Sequence, residues 1–532
     1  MKKLLILLLI LSTPPAASAT SEFTTTFNSL YTISHTGDTH ISHTIILKNN
    51  LAHLYATEYS LSVSGDSLTE LLVSDETGLL TPNLEVSNGV TNIHLTISHP
   101  SIGKDQTKTL VIQYRSKDIV EIIGNTLTVN IPRLSQGNEA ESYTRTVKVE
   151  NLGTESTLIY PPPSQTETVP PYTIYTFSGS TNQALTLLFG ESVTYKLNLK
   201  YQLKNKELQS IDSELALPPD TAYQRILLHQ LVPPPLGVRV DQDGNWLARY
   251  SLKPQEKLLI EAEIYATVYP QPTLPDPSDH LPFTTIHSAY WDTQSDIVQS
   301  LAQQLKTPLN IYTYLTNNFT YNFEKSASGV ARIGATKALS SPSLVVCTEF
   351  TDTFVALTRV LNIPSREING YAYTTNTALR PLNLETDVLH SWPEYFDSTM
   401  GTWIQLDPTW GNTTGGIDYF HKLDFSHITF VRHGLEPTYP LPAGVYKDSA
   451  DQKYVQVEVA TDVSPVVTRF ELKGNQVVNT GNVSLVHEQV GYLPPYASQT
   501  LPSPRHLSLY DKIKSLCASL LSKFSRLLPA SM

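Results

Sequence analysis

Three residues of this chain have the types and the order that acyl-transfer chemistry needs: Cys347, His390 and Asp407, each in its own hydrophobic segment. A thiol, an imidazole and a carboxylate can act as nucleophile, proton carrier and the group that orients the carrier. Cys347 stands in SPSLVVCTEF, just ahead of a helical pattern with Phe350, Phe354, Leu357 and Leu361 on one face. At a helix start, unpaired backbone N–H groups and the helix dipole favour a thiolate. The same N–H groups can later hold the oxyanion of a tetrahedral intermediate. A buried structural cysteine is the alternative. His390 shares a strand-like run with Val388, Trp392 and Tyr395, from which its ring could face the thiol as base and then as general acid. Asp407 ends the following run, just before Pro408, where it could orient the ring or cap a turn.

The elements that must position these residues are legible around them. SDIVQSLAQQL has apolar residues at helical spacing with Asp296 near its start, and Pro308 suits the first turn of the next helix. Asn362-Ile363-Pro364 should end the helix that begins at Cys347, because proline disfavours helical geometry in the residue before it. REINGYAYT, VLHSWPEYF and TWIQLDP then read as three strands of one sheet.

Residues 290 to about 435 resemble the transglutaminase-like core, a papain-like cysteine enzyme superfamily. The resemblance rests on Cys347, Leu357, Arg359, Ile363, Pro364, Arg366, Gly370 and Tyr371, then His390, Trp392 and Glu394, then Asp407, Pro408, Thr409 and Trp410. It implies an α+β core, a catalytic set of Cys347, His390 and Asp407, and a thioester intermediate formed from a peptide or glutamine-type amide. It requires no cofactor and leaves protease-like hydrolysis and amine transfer both open. The family's additional oxyanion donor lies upstream of the cysteine, and Tyr321 is the candidate here, with a core tyrosine as the alternative. Two positions depart from the pattern. Val345 stands where the family often has glycine, and Pro393 follows Trp392 where a strand residue with a free N–H is commoner. Pro393 leads one to expect an edge strand or a local bend.

The 532 residues are too many for one core. Residues 1–19 read as a signal peptide: Lys2 and Lys3 precede the apolar run Leu4 to Leu11, and Ala17-Ser18-Ala19 offers a small-residue cleavage site. That run is far short of the ~20 residues that span a bilayer. Export would make any structural cysteines pair, yet the only partner for Cys347 is Cys517 in a terminal tail, so a free thiol at Cys347 is expected. Residues 20–190 alternate apolar and polar positions in short runs such as HISHTIILKNN and KTLVIQYRS, which imply one or two β-sandwich modules. Residues 191–272 read as a second β-sandwich module, with a hairpin on Asp243-Gly244, and 273–289 as a proline-rich linker. The transglutaminase-like core follows over 290–440, then a short β extension over 441–500. The architecture expected is therefore multidomain, with N-terminal all-β sandwich modules followed by an α+β core.

The formal charge of −12 lacks the basic excess of a nucleic-acid binder and says little else about partners, whereas the resemblance implies a protein or peptide substrate. His421, His427 and His433 recur at equal spacing, but they do not share a helical face and no zinc signature encloses them. Surface or packing roles are expected for them, and no metal site. Residues 501–532 form an amphipathic pattern, with Ile513, Leu516, Leu520, Phe524 and Leu527 on one face and Lys512, Lys514, Lys523 and Arg526 around it. Such a helix could touch an anionic membrane surface or pack on a domain. The rival functional reading is a non-catalytic exported scaffold or cell-surface binding protein that keeps the fold. Oligomeric state is not legible.

Overall fold

The computed structural model describes residues 22–65, 68–87, 89–134, 140–151, 156–179, 183–276, 278, 287–328, 331–374, 380–381, 389–447 and 452–502. The expected signal peptide, Cys517 and nearly all of the expected C-terminal tail lie outside the described residues. Among the described residues, no helix is long and apolar enough to cross a membrane.

The alternating N-terminal runs form strands that bury every second residue, as in Thr39–Asn49, whose odd-numbered residues are all buried. Among the described residues, eight strands make one sheet, in which Phe23–Ile33 lies between Thr39–Asn49 and a parallel partner, Ser142–Glu150. A four-stranded and a three-stranded sheet share a core with it that includes Phe27, Ile45, Ile93, Val129 and Leu187. The expected sandwich is present.

A second all-β unit follows. Val193–Lys204 pairs along its whole length with Lys257–Val268, while Ile211–Leu217, Trp246–Leu252 and Gly237–Val240 form a second sheet. The turn between the last two contains Gly244 at φ +82°, a left-handed conformation that suits glycine. Val455–Val459 returns from far along the chain to pair with Val193–Lys204. Val477, Leu493 and Ala497 enter the same core, so the expected extension is built into this unit's packing.

Among the described residues, the core that positions the site has six helices and a four-stranded sheet. The helices are α1 (Asp296–Leu305), α2 (Pro308–Asn318), α3 (Phe323–Ser328), α4 (Gly334–Ser340), α5 (Cys347–Val360) and α6 (Pro408–Thr413). The strands are β1 (Ser365–Ala372), β2 (His390–Asp397), β3 (Thr402–Gln405) and β4 (His427–His433), in the order β3-β2-β1-β4. Asp296, Pro308 and Cys347 each begin a helix, as expected. Twelve of the fourteen α5 residues are buried, so this helix is the centre of the core rather than a surface element.

One expectation is corrected here. Pro393 lies on β2, which is an interior strand and not an edge. Its carbonyl accepts from Leu406 N–H at 3.2 Å, just past the end of β3, so its donor-less nitrogen faces the side where that ladder stops. The three histidines divide between the expected surface and packing roles. His421 is a surface residue, but His427 and His433 begin and end β4, a strand buried along its whole length. The second β unit covers β4: Asn245 bonds the backbone of Arg432 at 2.8 Å in both directions, and Gln224 does the same for Thr429 at 2.9 Å.

Candidate active site

Cys347 is the first residue of α5, and it is 2 % exposed. The helix start is held by Glu349, whose carboxylate reaches back to accept from Val346 N–H at 2.9 Å. The same carboxylate accepts from Ile333 N–H at 3.0 Å and pairs with Lys325 at 2.9 Å. The turn that presents Cys347 is therefore tied to α3 and to the segment before α4. Residues 321–322 run alongside it: Tyr321 forms a parallel bridge to Val345, and Asn322 N–H donates to Val345 O at 2.8 Å. The Tyr321 ring is buried and meets Phe323 edge-on at 5.0 Å.

His390 opens β2 and is paired in register with Gly370 of β1. Its ring lies between two indoles, Trp392 at 5.8 Å and Trp410 at 5.3 Å, both nearly parallel to it. Nε2 bonds Asp407 Oδ2 at 2.9 Å. The Cys347 side chain approaches the ring closely enough to add to its basicity. Nδ1 nevertheless makes no hydrogen bond of normal geometry, which leaves it open to the thiol. Burial alone would pull the imidazole down, but the charge and hydrogen bond of Asp407, with a smaller contribution from Cys347, raise it to about 9.

Asp407 is the N-cap of α6. Its Oδ1 accepts from Thr409 N–H at 2.8 Å and Trp410 N–H at 3.1 Å, while Oδ2 faces the histidine. Capping and orienting, which looked like alternatives in the sequence, are both done by this one carboxylate. Burial pushes it towards the neutral form, and the two histidines beside it outweigh that and hold it well below the usual carboxylate range.

Sequence reasoning misses one neighbour. His427 Nε2 also bonds Asp407 Oδ2, at 3.2 Å, and His427 Nδ1 bonds Asp424 Oδ1 at 2.7 Å. Gly370 makes room for this arrangement. A Cβ there would meet Ile428 O at 2.1 Å and the Trp392 ring at 2.7 Å, so glycine lets Trp392 reach across β1 to within 4.9 Å of the His427 ring. The one available signal is Asp424 three residues before His427, and it is weak without the fold. Among the described residues, His390, Asp407 and His427 are the grouping whose potential ligand atoms fall within 4.8 Å of one another. Those atoms are spent on one another, in contacts of 2.9 and 3.2 Å that suit N–H to carboxylate hydrogen bonds.

The remaining motif residues build the frame. Arg359 donates to the carbonyls of Ser365 (2.7 Å) and Gly434 (2.8 Å) and lies over the Trp291 ring. Arg366 pairs with Glu394 across β1 and β2, donates to Asp243 O at 3.0 Å and covers Trp403. These buried guanidiniums join the sheet to α5 and to the second β unit.

A thiol at a helix start, facing an imidazole pinned by a capping aspartate on an adjoining sheet, defines a cysteine-enzyme-type fold. Residues 292–408 match the core of the Transglutaminase-like superfamily, and this part of the chain is a transglutaminase-like core. Solved structures similar to the chain include a candidate cysteine protease from Cytophaga hutchinsonii, at 19% identity, TM-score 0.35, over 52% of this chain and 94% of that one. The periplasmic domain of TgpA from Pseudomonas aeruginosa is similar at 14% identity, TM-score 0.24, over 43% of this chain and 97% of that one. An M1 zinc metallopeptidase from Deinococcus radiodurans is similar at 10% identity and TM-score 0.24, over 35% of this chain and 45% of that one. With TM-scores this low, none of the three bears on function. No curated protein matches the chain.

Proposed function

We propose that this chain is an exported cysteine-dependent enzyme that acts on peptide or glutamine-type amide bonds through a thioester on Cys347. One observation carries the reading: His390 has Nε2 bound to Asp407 and Nδ1 left open beside Cys347, at the first residue of α5. The Cys347 thiolate attacks the carbonyl carbon, and an S–C bond forms as the carbonyl oxygen takes up the charge. The backbone N–H groups at the α5 start are suited to hold that oxygen, with Tyr321 as the candidate second donor. His390 gives its Nδ1 proton to the departing nitrogen as the C–N bond breaks, leaving a thioester and a neutral imidazole. Water or an amine then attacks the thioester and loses a proton to His390. The products are a carboxylic acid or a new amide, and the thiol is restored. Export rests on the N-terminal pattern of Lys2 to Ala19, and sequencing the mature N-terminus from cells tests it.

The near-complete burial of Cys347 favours the second reading, a non-catalytic exported scaffold that keeps the fold. Incubating peptide and amine mixtures with the wild type and with Cys347→Ala, read by mass spectrometry, separates the two. Loss of both hydrolysis and transfer in the variant is expected, and undiminished turnover would sink the thioester mechanism. A Cys347 thiol alkylated no faster at neutral pH than a model peptide thiol would favour the scaffold.

A further inference from the structure

Asp407 does not serve one histidine but two. His427 Nε2 contacts Asp407 Oδ2 at 3.2 Å and His427 Nδ1 contacts Asp424 Oδ1 at 2.7 Å. An ionised carboxylate has no hydrogen to donate, so two carboxylates can both be satisfied only if both ring nitrogens carry protons. We propose that His427 is a positioning residue, a permanent buried imidazolium set by Asp424, which divides the Asp407 carboxylate between two rings and so keeps the His390 proton transferable. The proposal rests on the thiol–imidazole reading above.

The surroundings support a charged ring. Its centroid lies 4.6 Å from that of Trp410, and the Trp392 ring is edge-on at 4.9 Å, so water is displaced by indoles rather than by a second donor. Burial opposes the charge, but Asp424 and Asp407 overcome it and raise His427 to about 9. Asp424 is held ionised in turn, since burial is outweighed chiefly by His427, with Arg380 adding to the pull and Ser426 N–H donating at 2.8 Å. Lys422 lies beyond Asp424, over the Tyr419 ring, and Arg380 is paired with Glu121 of the N-terminal sandwich. On the other side, the His390 and His427 ring centroids are 5.8 Å apart, with Cys347 beyond His390.

The consequence follows from the order of charges. The His427 cation on the shared oxygen opposes protonation of His390, while the Asp424 anion favours it but is one ring further away and offsets the cation only in part. An imidazolium bound to an undivided buried carboxylate would hold its proton more tightly. Neutralising His427 should therefore raise the affinity of His390 for its proton.

Asp424→Asn tests this, because an amide can keep a hydrogen bond to Nδ1 while removing the charge that holds the second proton. Ring-15N-labelled histidine spectra should show His427 doubly protonated at pH 7.5 in the wild type and singly protonated in the variant. The His390 titration should move up by roughly one pH unit in the variant. A neutral His427 in the wild-type spectrum, or a His390 midpoint unmoved by the substitution, overturns the proposal. The wild-type measurement needs no variant to fold. Neither measurement depends on turnover, so an inactive protein or an active Cys347→Ala would defeat the thioester reading without deciding this one.

Discussion

Two regions of the molecule each bury a histidine, with opposite results. In the N-terminal sandwich, His43 lies between Ser29 Oγ at 2.8 Å and Tyr114 OH at 3.1 Å, with the rings of Phe27 and Tyr31 beside it. Burial is the only effect acting on it, and it falls to about 4. His390 is equally enclosed, yet a carboxylate at 2.9 Å, with a smaller contribution from Cys347, carries it to about 9. Hydroxyls can satisfy either ring nitrogen but supply no charge, so the sandwich histidine stays neutral and serves packing. The lesson is that burial sets the sign of the shift only where no carboxylate is present.

Asp407→Asn should have the largest effect, because it would turn the His390 environment into one like that of His43. With no carboxylate bonded to the ring the imidazolium loses its main stabiliser, and the ring can settle in the wrong tautomer. Turnover should fall by roughly 10³–10⁴-fold, as when the carboxylate is removed from other triads. The stability profile should change with it. His390 is raised in the folded state, so its contribution is complete below about 6.5 and fades as pH rises through about 9. Urea midpoints between pH 6 and 10 should show this alkaline loss in the wild type and a flatter profile in the variant. Equal activity and an unchanged profile would mean that the two histidines are not distinguished by Asp407.

His43→Gln probes the other side of the comparison. A histidine lowered to about 4 is neutral in the fold and charged in the unfolded chain, so stability is lost as pH falls from about 6.5 through about 4. A gap of that size corresponds to about 3 kcal/mol between the ends of that window. Glutamine keeps polar atoms near Ser29 and Tyr114 but cannot titrate. The variant should resist acid better relative to its own neutral-pH midpoint, and an acid loss identical to wild type would remove His43 from the account.

Much of the site was legible in the sequence because its parts are local. Cys347 starts a helix whose apolar periodicity and Asn362-Ile363-Pro364 stop lie within the same stretch, and Asp407 stands next to the Pro408 that opens α6. His427 was not legible. A period of six tests badly for a helix, but on a strand it puts His427 and His433 at opposite ends of β4 with different neighbours. His427 meets Asp407 and Asp424, whereas His433 meets Pro440 O at 2.7 Å and Asn369 at 3.3 Å. Pro393 misled for a related reason, since the site where β3 stops is a property of the sheet. The pairing of Val455–Val459 with Val193–Lys204 is likewise non-local, and no pattern within either strand selects the other.

The smallest effect is expected at the third kind of histidine, His421, which keeps contact with solvent. Its side chain is 36% exposed, bonds Asp418 Oδ2 at 2.8 Å and stacks on Tyr160 of the N-terminal sandwich at 4.4 Å. This is a contact between the sandwich and the segment that leads to Asp424, so it is where a coupling between the two would be sought. Water competes for both rings, and the phenol oxygen is 3.5 Å from Nε2, too long to hold it firmly. Tyr160→Phe should therefore leave the unfolding midpoint and the His427 spectrum where they are. Tyr160→Ala should cost about 1 kcal/mol from lost stacking and still leave that spectrum unchanged. A shifted His427 resonance in either variant would show that the sandwich reaches Asp407 through this loop, and would end the separation between the two regions on which the comparison depends.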